Sequence, residues 1–184
     1  LPDCPIFVFF GLQPGEAKEF SRHRLTPILN NLGQIELWQR QTNRGVTENA
    51  LLHIDTGMSR LGLPPEEVAR LAAEPERLAS LNIAFVMSHL ACAEQPEHPM
   101  NEAQLSEFKA ALVSLAPAAG AAKLSLANSS GIFLGSEFHF DLARPGAALY
   151  GLNPTPEKTN PMAEVVRLQG KILQVRHVDP PRRV

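Results

Sequence analysis

Cysteine is scarce: Cys4 and Cys92 are the only two in 184 residues. Two thiols so far apart make neither a disulfide framework nor a cysteine zinc site, and a reduced, cytoplasmic setting is expected. No apolar run approaches the roughly 20 residues of a membrane span. The N-terminus also lacks a charged segment leading into a secretory apolar core. Charge of one sign is missing as well, with Lys+Arg 17 against Asp+Glu 19 and a net charge of -2. That balance counts against a nucleic-acid or anionic-membrane surface. Glu97-His98 has no matching ligand cluster around it, so no metal site is expected. No internal repeat and no low-complexity segment is visible.

What is present reads as one globular domain. The hydrophobic content of 44% and charged content of 20% are ordinary, and the length suits a single core. The 16 prolines indicate rigid connections. The chain opens at Leu1 and meets an apolar run at once, so it is expected to begin inside a domain.

Ile6 to Phe10 is a compact β-like run closed by Gly11 and Pro14-Gly15. Leu25 to Leu29 and Ile35 to Trp38 are weaker strand candidates. Leu51 to Ile54 runs into Asp55-Thr56-Gly57. Pro64-Pro65-Glu66-Glu67 opens a helix, with proline in its first turn and acids at the positive end of the dipole. Ile83 to Met87 is a strand, Asn101 to Leu115 a helix, and Lys123 to Ala127 a short strand. Phe140 to Leu142 leads into Arg144-Pro145-Gly146. Repeated β-then-α units predict an α/β domain with parallel strands. After Asn153-Pro154-Thr155-Pro156 the texture changes, and the alternation over 165–178 reads as the first strand of a separate β region.

Polar residues gather where the β-like runs stop: Asp55, Thr56 and Arg60, then His89, then Asn128 and Ser129, then Arg144. In a parallel sheet that carboxyl edge is where ligands bind, which predicts one pocket. Each signal has a plainer reading. Asp55-Thr56-Gly57 serves as a turn, Arg60 as a solvated charge, His89 as a packed core histidine and Asn128-Ser129 as a helix cap.

Four segments resemble bacterial alanine racemases, in the same order. His53-Ile54-Asp55-Thr56-Gly57-Met58-Ser59-Arg60-Leu61-Gly62 is similar to that family's D-T-G-M-x-R-x-G strand end. Ser88 to Glu94 resembles S-H-x-A-x-A-[DE]. Ala127 to Gly131 resembles its A-N-S-x-[GA] phosphate segment, and Arg144 to Gly151 its R-P-G-x-x-x-Y-G motif. The resemblance implies a (β/α)8 TIM-type barrel, here roughly strands three to eight. Residues 1–155 would be a partial barrel that binds pyridoxal 5'-phosphate, and residues 156–184 the beginning of a C-terminal β domain. Six strands of eight would leave the barrel open.

The implied activity of the full-length enzyme is two-base racemisation of L- and D-alanine, supplying D-alanine for peptidoglycan, in a cytoplasmic homodimer. By the same resemblance, Arg144 faces the pyridine nitrogen and His89 packs on the ring. Asn128, Ser129, Gly146 and Ala147 hold the phosphate. Arg60 positions the substrate carboxylate, supported by His53 where the family commonly has a lysine. Ser125 stands where many members have a histidine behind Arg144. Neither proton-transfer base is matched: Lys18, Lys109, Lys123, Lys158 and Lys171 lack the family's lysine context, and Tyr150 belongs to the last motif. The chain alone is expected to be inactive. A related barrel enzyme acting on another amino acid, or a non-catalytic remnant binding the cofactor, remains the alternative.

Overall fold

A computed structural model describes residues 4–42 and 49–179. Five parallel strands form one sheet in the order in which the chain delivers them: β1 (Ile6–Val8), β2 (Leu25–Leu29), β3 (Asn49–His53), β4 (Asn82–Met87) and β5 (Lys123–Ser125). Helices α1 (Ala17–His23), α2 (Leu32–Thr42), α3 (Pro65–Ala73) and α4 (Met100–Ala119) provide the crossovers, and a short α5 (Gly146–Leu149) follows. This is the β/α-barrel type of α/β fold. Parallel strands need crossovers, and helices packed on them bury one face of the sheet.

Both faces of the strands are apolar, and side chains alternate between them. Leu29, Leu52 and Val86 point toward the helices and pack with Ile35, Trp38, Leu71 and Phe108 in the main core. Ile28, Leu51 and Met87 turn the other way, where Phe7, Phe9 and Phe85 pack on them. This second face walls a cavity of about 510 Å³ that reaches the carboxyl edge at His89 and Arg144.

Three expectations are corrected. Ile35 to Trp38 is helix, within α2, rather than strand. Leu32, Ile35 and Trp38 share one buried face, and Asn31 Oδ1 caps the helix by accepting the Gln34 N–H at 2.9 Å. Glu67 adds a carboxylate at the same end, accepting the Leu32 N–H at 3.1 Å. Phe140 to Leu142 forms no ladder, so among the described residues the sheet has five strands. The segment still lies along β5, with the Asp141 and Leu142 N–H groups on Leu124 O and the Arg144 N–H on Ala127 O. The alternating stretch 165–178 forms no strand. Leu168 and Leu173 are more than nine-tenths exposed, and a strand with no partner has nothing to bond. Proline explains why β2 looked weak. Pro27 stands where β2 stops pairing with β1, through Leu25 to Pro27, and starts pairing with β3, through Ile28 and Leu29.

Candidate functional site at the carboxyl edge

β3 ends at His53, which is buried. Its Nδ1 lies 2.8 Å from Asn30 Oδ1, one residue beyond β2. Asn30 is fixed in turn: its Nδ2 donates to Phe9 O and Ile28 O, each at 2.9 Å. Burial, then the Arg144 charge, lowers the imidazole from 6.5 to about 4.

The loop after β3 turns sharply. Asp55 Oδ1 accepts the N–H groups of Gly57 (2.9 Å) and Ser59 (3.0 Å), and Leu63 returns to bond His53 O and the Asp55 N–H. Gly62 is required here. Its φ is +108°, and a Cβ would sit 2.7 Å from Asp55 N. Arg60 rides exposed on this loop, and among the described residues no hydrogen bond or ion pair holds its guanidinium. His53 and Arg60 are therefore not joined: the histidine bonds Asn30 instead.

Ser88 and His89 follow β4. His89 is lowered to about 4 by burial and then by Arg144 and Arg60. Phe9 presents its ring edge-on to both imidazoles, with centroids 6.4 Å from His53 and 6.2 Å from His89. The Arg144 guanidinium carbon lies 5.9 Å from the same ring centre.

Arg144 is the most tightly held cation of the edge. It donates to the Ser125 hydroxyl, to Ser88 O at 2.6 Å and to Leu126 O at 3.1 Å. Its Nη2 also lies 3.4 Å from His89 Nδ1. The Ser125 hydroxyl donates in turn to Leu142 O at 2.6 Å. Burial lowers Arg144 to about 10, so it stays a cation at neutral pH. Its Nε is buried, and no described residue accepts its hydrogen bond.

Beyond β5, Asn128 spans two segments, donating to Leu90 O at 3.2 Å and accepting the Gly131 N–H at 2.9 Å. The Ser129 hydroxyl accepts the Ala148 N–H at 3.1 Å, so Ser129 abuts the short α5. Gly146 and Ala147 are exposed there, and the Gly146 N–H bonds Arg144 O. Thus His89, Asn128, Ser129, Arg144, Gly146 and Ala147 share one edge, while Arg60 stands on a loop beside them. Asn30, Phe9 and Gln104 were not anticipated. Only Asn30 carried a sequence signal, as a polar residue directly after a strand.

Among the described residues, no group of three or more His, Cys, Asp or Glu side chains could hold a metal ion. None of their helices is long and apolar enough to cross a membrane.

Comparison with known proteins places the chain in a family. Residues 1–154 match the family described as alanine racemase, N-terminal domain. An alanine racemase of Rhodospirillum rubrum is 50% identical over 180 residues, 97% of this chain and 47% of the relative. One of Rhizobium meliloti is 43% identical over 178 residues, covering 97% and 46%. Among solved structures, alanine racemase from Bartonella henselae with covalently bound pyridoxal phosphate superposes with a TM-score of 0.82 at 37% identity, over 89% of this chain and 47% of that one. The Streptomyces coelicolor enzyme gives 0.76 at 30% identity, over 85% and 43%. The chain spans about half the length of the curated relatives it matches. Its family is that of the alanine racemase N-terminal domain, and the chain belongs to it.

Proposed function

We propose that this chain is the cofactor-binding part of an alanine racemase, and that the whole protein interconverts L- and D-alanine. One observation carries the reading. Arg144 lines the open cavity and is clamped by three acceptors, yet its buried Nε has no partner among the described residues. A buried N–H without an acceptor costs stability, and the pyridine nitrogen of pyridoxal phosphate is an acceptor of the right kind. The residues present therefore fit the cofactor.

When bound, pyridoxal phosphate supplies an electron sink that makes the Cα proton of alanine removable. Arg144 holds the ring nitrogen by donation and keeps its own proton, since its pKa of about 10 lies well above neutrality. His89, neutral at pH 7, would help hold the ring. Asn128, Ser129, Gly146 and Ala147 form the phosphate end, where Ser129 already abuts α5. Arg60 binds the substrate carboxylate, its guanidinium being exposed for that purpose. His53 supports that loop through the backbone, since its carbonyl bonds Leu63. The two proton-transfer bases are supplied by other parts of the whole protein, and this chain alone does not racemise alanine. Residues 1–155 form the barrel part, and residues 156–184 begin the second domain. The whole protein works as a cytoplasmic homodimer supplying D-alanine for peptidoglycan.

Borohydride reduction in the presence of pyridoxal phosphate, followed by peptide mapping, tests this. It should be run on this chain and on the whole protein. Labelling at one lysine outside this chain, together with racemase activity of the whole protein, is the expected result. Stoichiometric labelling of Lys18, Lys109, Lys123, Lys158 or Lys171 overturns the assignment of the bases.

A further inference from the structure

Helix α4 presents a glutamine among its core residues. Gln104 is fully buried and lies on the face that carries Phe108 and Leu115. Both of its amide N–H groups and its carbonyl oxygen are engaged. Nε2 donates to Thr56 Oγ1 at 3.1 Å and to His89 O at 2.9 Å, and Oε1 accepts the Ala91 N–H at 2.8 Å. Thr56 Oγ1 in turn lies 2.7 Å from Ser88 Oγ, and the Ser88 carbonyl is one of the acceptors clamping Arg144. Thr56 and Ser88 are also buried. Three buried polar side chains thus join the turn that carries Arg60 to the segment that carries His89, and the backbone of Ser88 carries the link on to the guanidinium of Arg144. Desolvating such groups is costly, and a leucine at position 104 would strip the Ala91 N–H, His89 O and Thr56 Oγ1 of the partner that ties these two strand-end segments together.

We propose that Gln104, acting through Thr56 and Ser88, is a positioning residue that sets the Arg60 loop against the His89 segment. It touches neither substrate nor cofactor. Its fixed amide holds two strand-end loops in one register, so that a carboxylate bound at Arg60 lies at a set distance from a ring held by His89 and Arg144. The link to substrate rests on the proposed racemase reading; the mechanical link between the loops does not.

The test compares the whole protein with its Q104M and T56V variants. Each substitution keeps side-chain volume close to the original and removes the hydrogen bonds. Hydrogen exchange is followed in the segments 55–63 and 88–93, and in β3 and β4 as internal reference. Q104M removes three hydrogen bonds and is expected to speed exchange by about tenfold or more in both segments, with β3 and β4 unchanged. T56V is expected to speed exchange in 55–63 alone. Alanine KM is expected to rise about tenfold in T56V, with kcat and the pyridoxal phosphate Kd within about twofold. Unchanged exchange in 55–63 in T56V overturns the proposal, as does faster exchange spread equally over β3 and β4. Should Q104M fail to fold, T56V decides. A wild-type protein without racemase activity overturns the proposed function, and the exchange pattern then still decides the brace.

Discussion

Asn30 Oδ1 and His53 Nδ1 are 2.8 Å apart, and the other half of the asparagine decides which atom carries the proton. Asn30 Nδ2 donates to two carbonyls, which can only accept, so Oδ1 must face the histidine. His53 is therefore held as the Nδ1–H tautomer, and its Nε2 lone pair is free to accept. A short amide has set the protonation pattern of a buried imidazole.

The first prediction concerns acid. His53 and His89 are both lowered from 6.5 to about 4, by burial first and Arg144 second. Between those values the unfolded chain binds protons that the native state refuses. Stability present above pH 6.5 is thus lost as pH falls toward 4, by up to about 1.4 kcal/mol per pH unit for each histidine. Urea unfolding midpoints at pH 7 and pH 5 should show this fall. His53→Asn, whose Nδ2 can keep an N–H where the imidazole Nδ1 stood, should make it shallower; an identical slope in that variant excludes His53 as its source.

A second prediction follows from Asn30 itself. Asn30→Asp removes the donors to Phe9 O and Ile28 O and sets a carboxylate beside His53. Stability at pH 7 should drop by about 2 kcal/mol, from buried carbonyls left without partners. The imidazole should titrate closer to its ordinary value, because an opposite charge favours its protonated form. The His53 Cε1–H resonance, followed by NMR against pH, reports the second effect.

Two glycines should behave in opposite ways. Gly62→Ala places a Cβ 2.7 Å from Asp55 N at φ +108°, and should cost about 2 kcal/mol or more in a thermal melt. A Cβ at Gly146 meets nothing within 4 Å, so Gly146→Ala should leave the melt nearly unchanged. Its effect should fall instead on pyridoxal phosphate affinity, measured by absorbance titration.

Ser125→Ala strips a hydroxyl from between Arg144 and Leu142 O. About 1–2 kcal/mol of stability should go. Denaturant unfolding checks this, and Ser125→Thr should recover much of the loss because it restores the hydroxyl.

Most of the parallel order was legible in the sequence, because β3, β4 and β5 are apolar runs that stop at polar residues. Ile35 to Trp38 misled because four residues of alternation look extended. The helical spacing of Leu32, Ile35 and Trp38 emerges only with the cap at Asn31 included. Residues 165–178 alternate as a strand does, but alternation supplies no neighbour. At the site, the strand-end positions were readable as a linear pattern. Gln104 was not, since it reaches Thr56 across 48 residues of sequence, and nothing local in an alanine-rich helix marks it. The separation of His53 from Arg60 was equally hidden, since it depends on where Asn30 falls at the end of another strand.

The sheet order has a kinetic consequence. Each strand pairs with the one that follows it, so the paired residues, from Ile6–Leu25 to Phe85–Lys123, stay about 20 to 40 positions apart. Among the described strands, no pairing waits for a distant part of the chain. Emerging from the ribosome, each completed β/α unit finds its docking edge already in place, and the sheet can lengthen one strand at a time as synthesis proceeds.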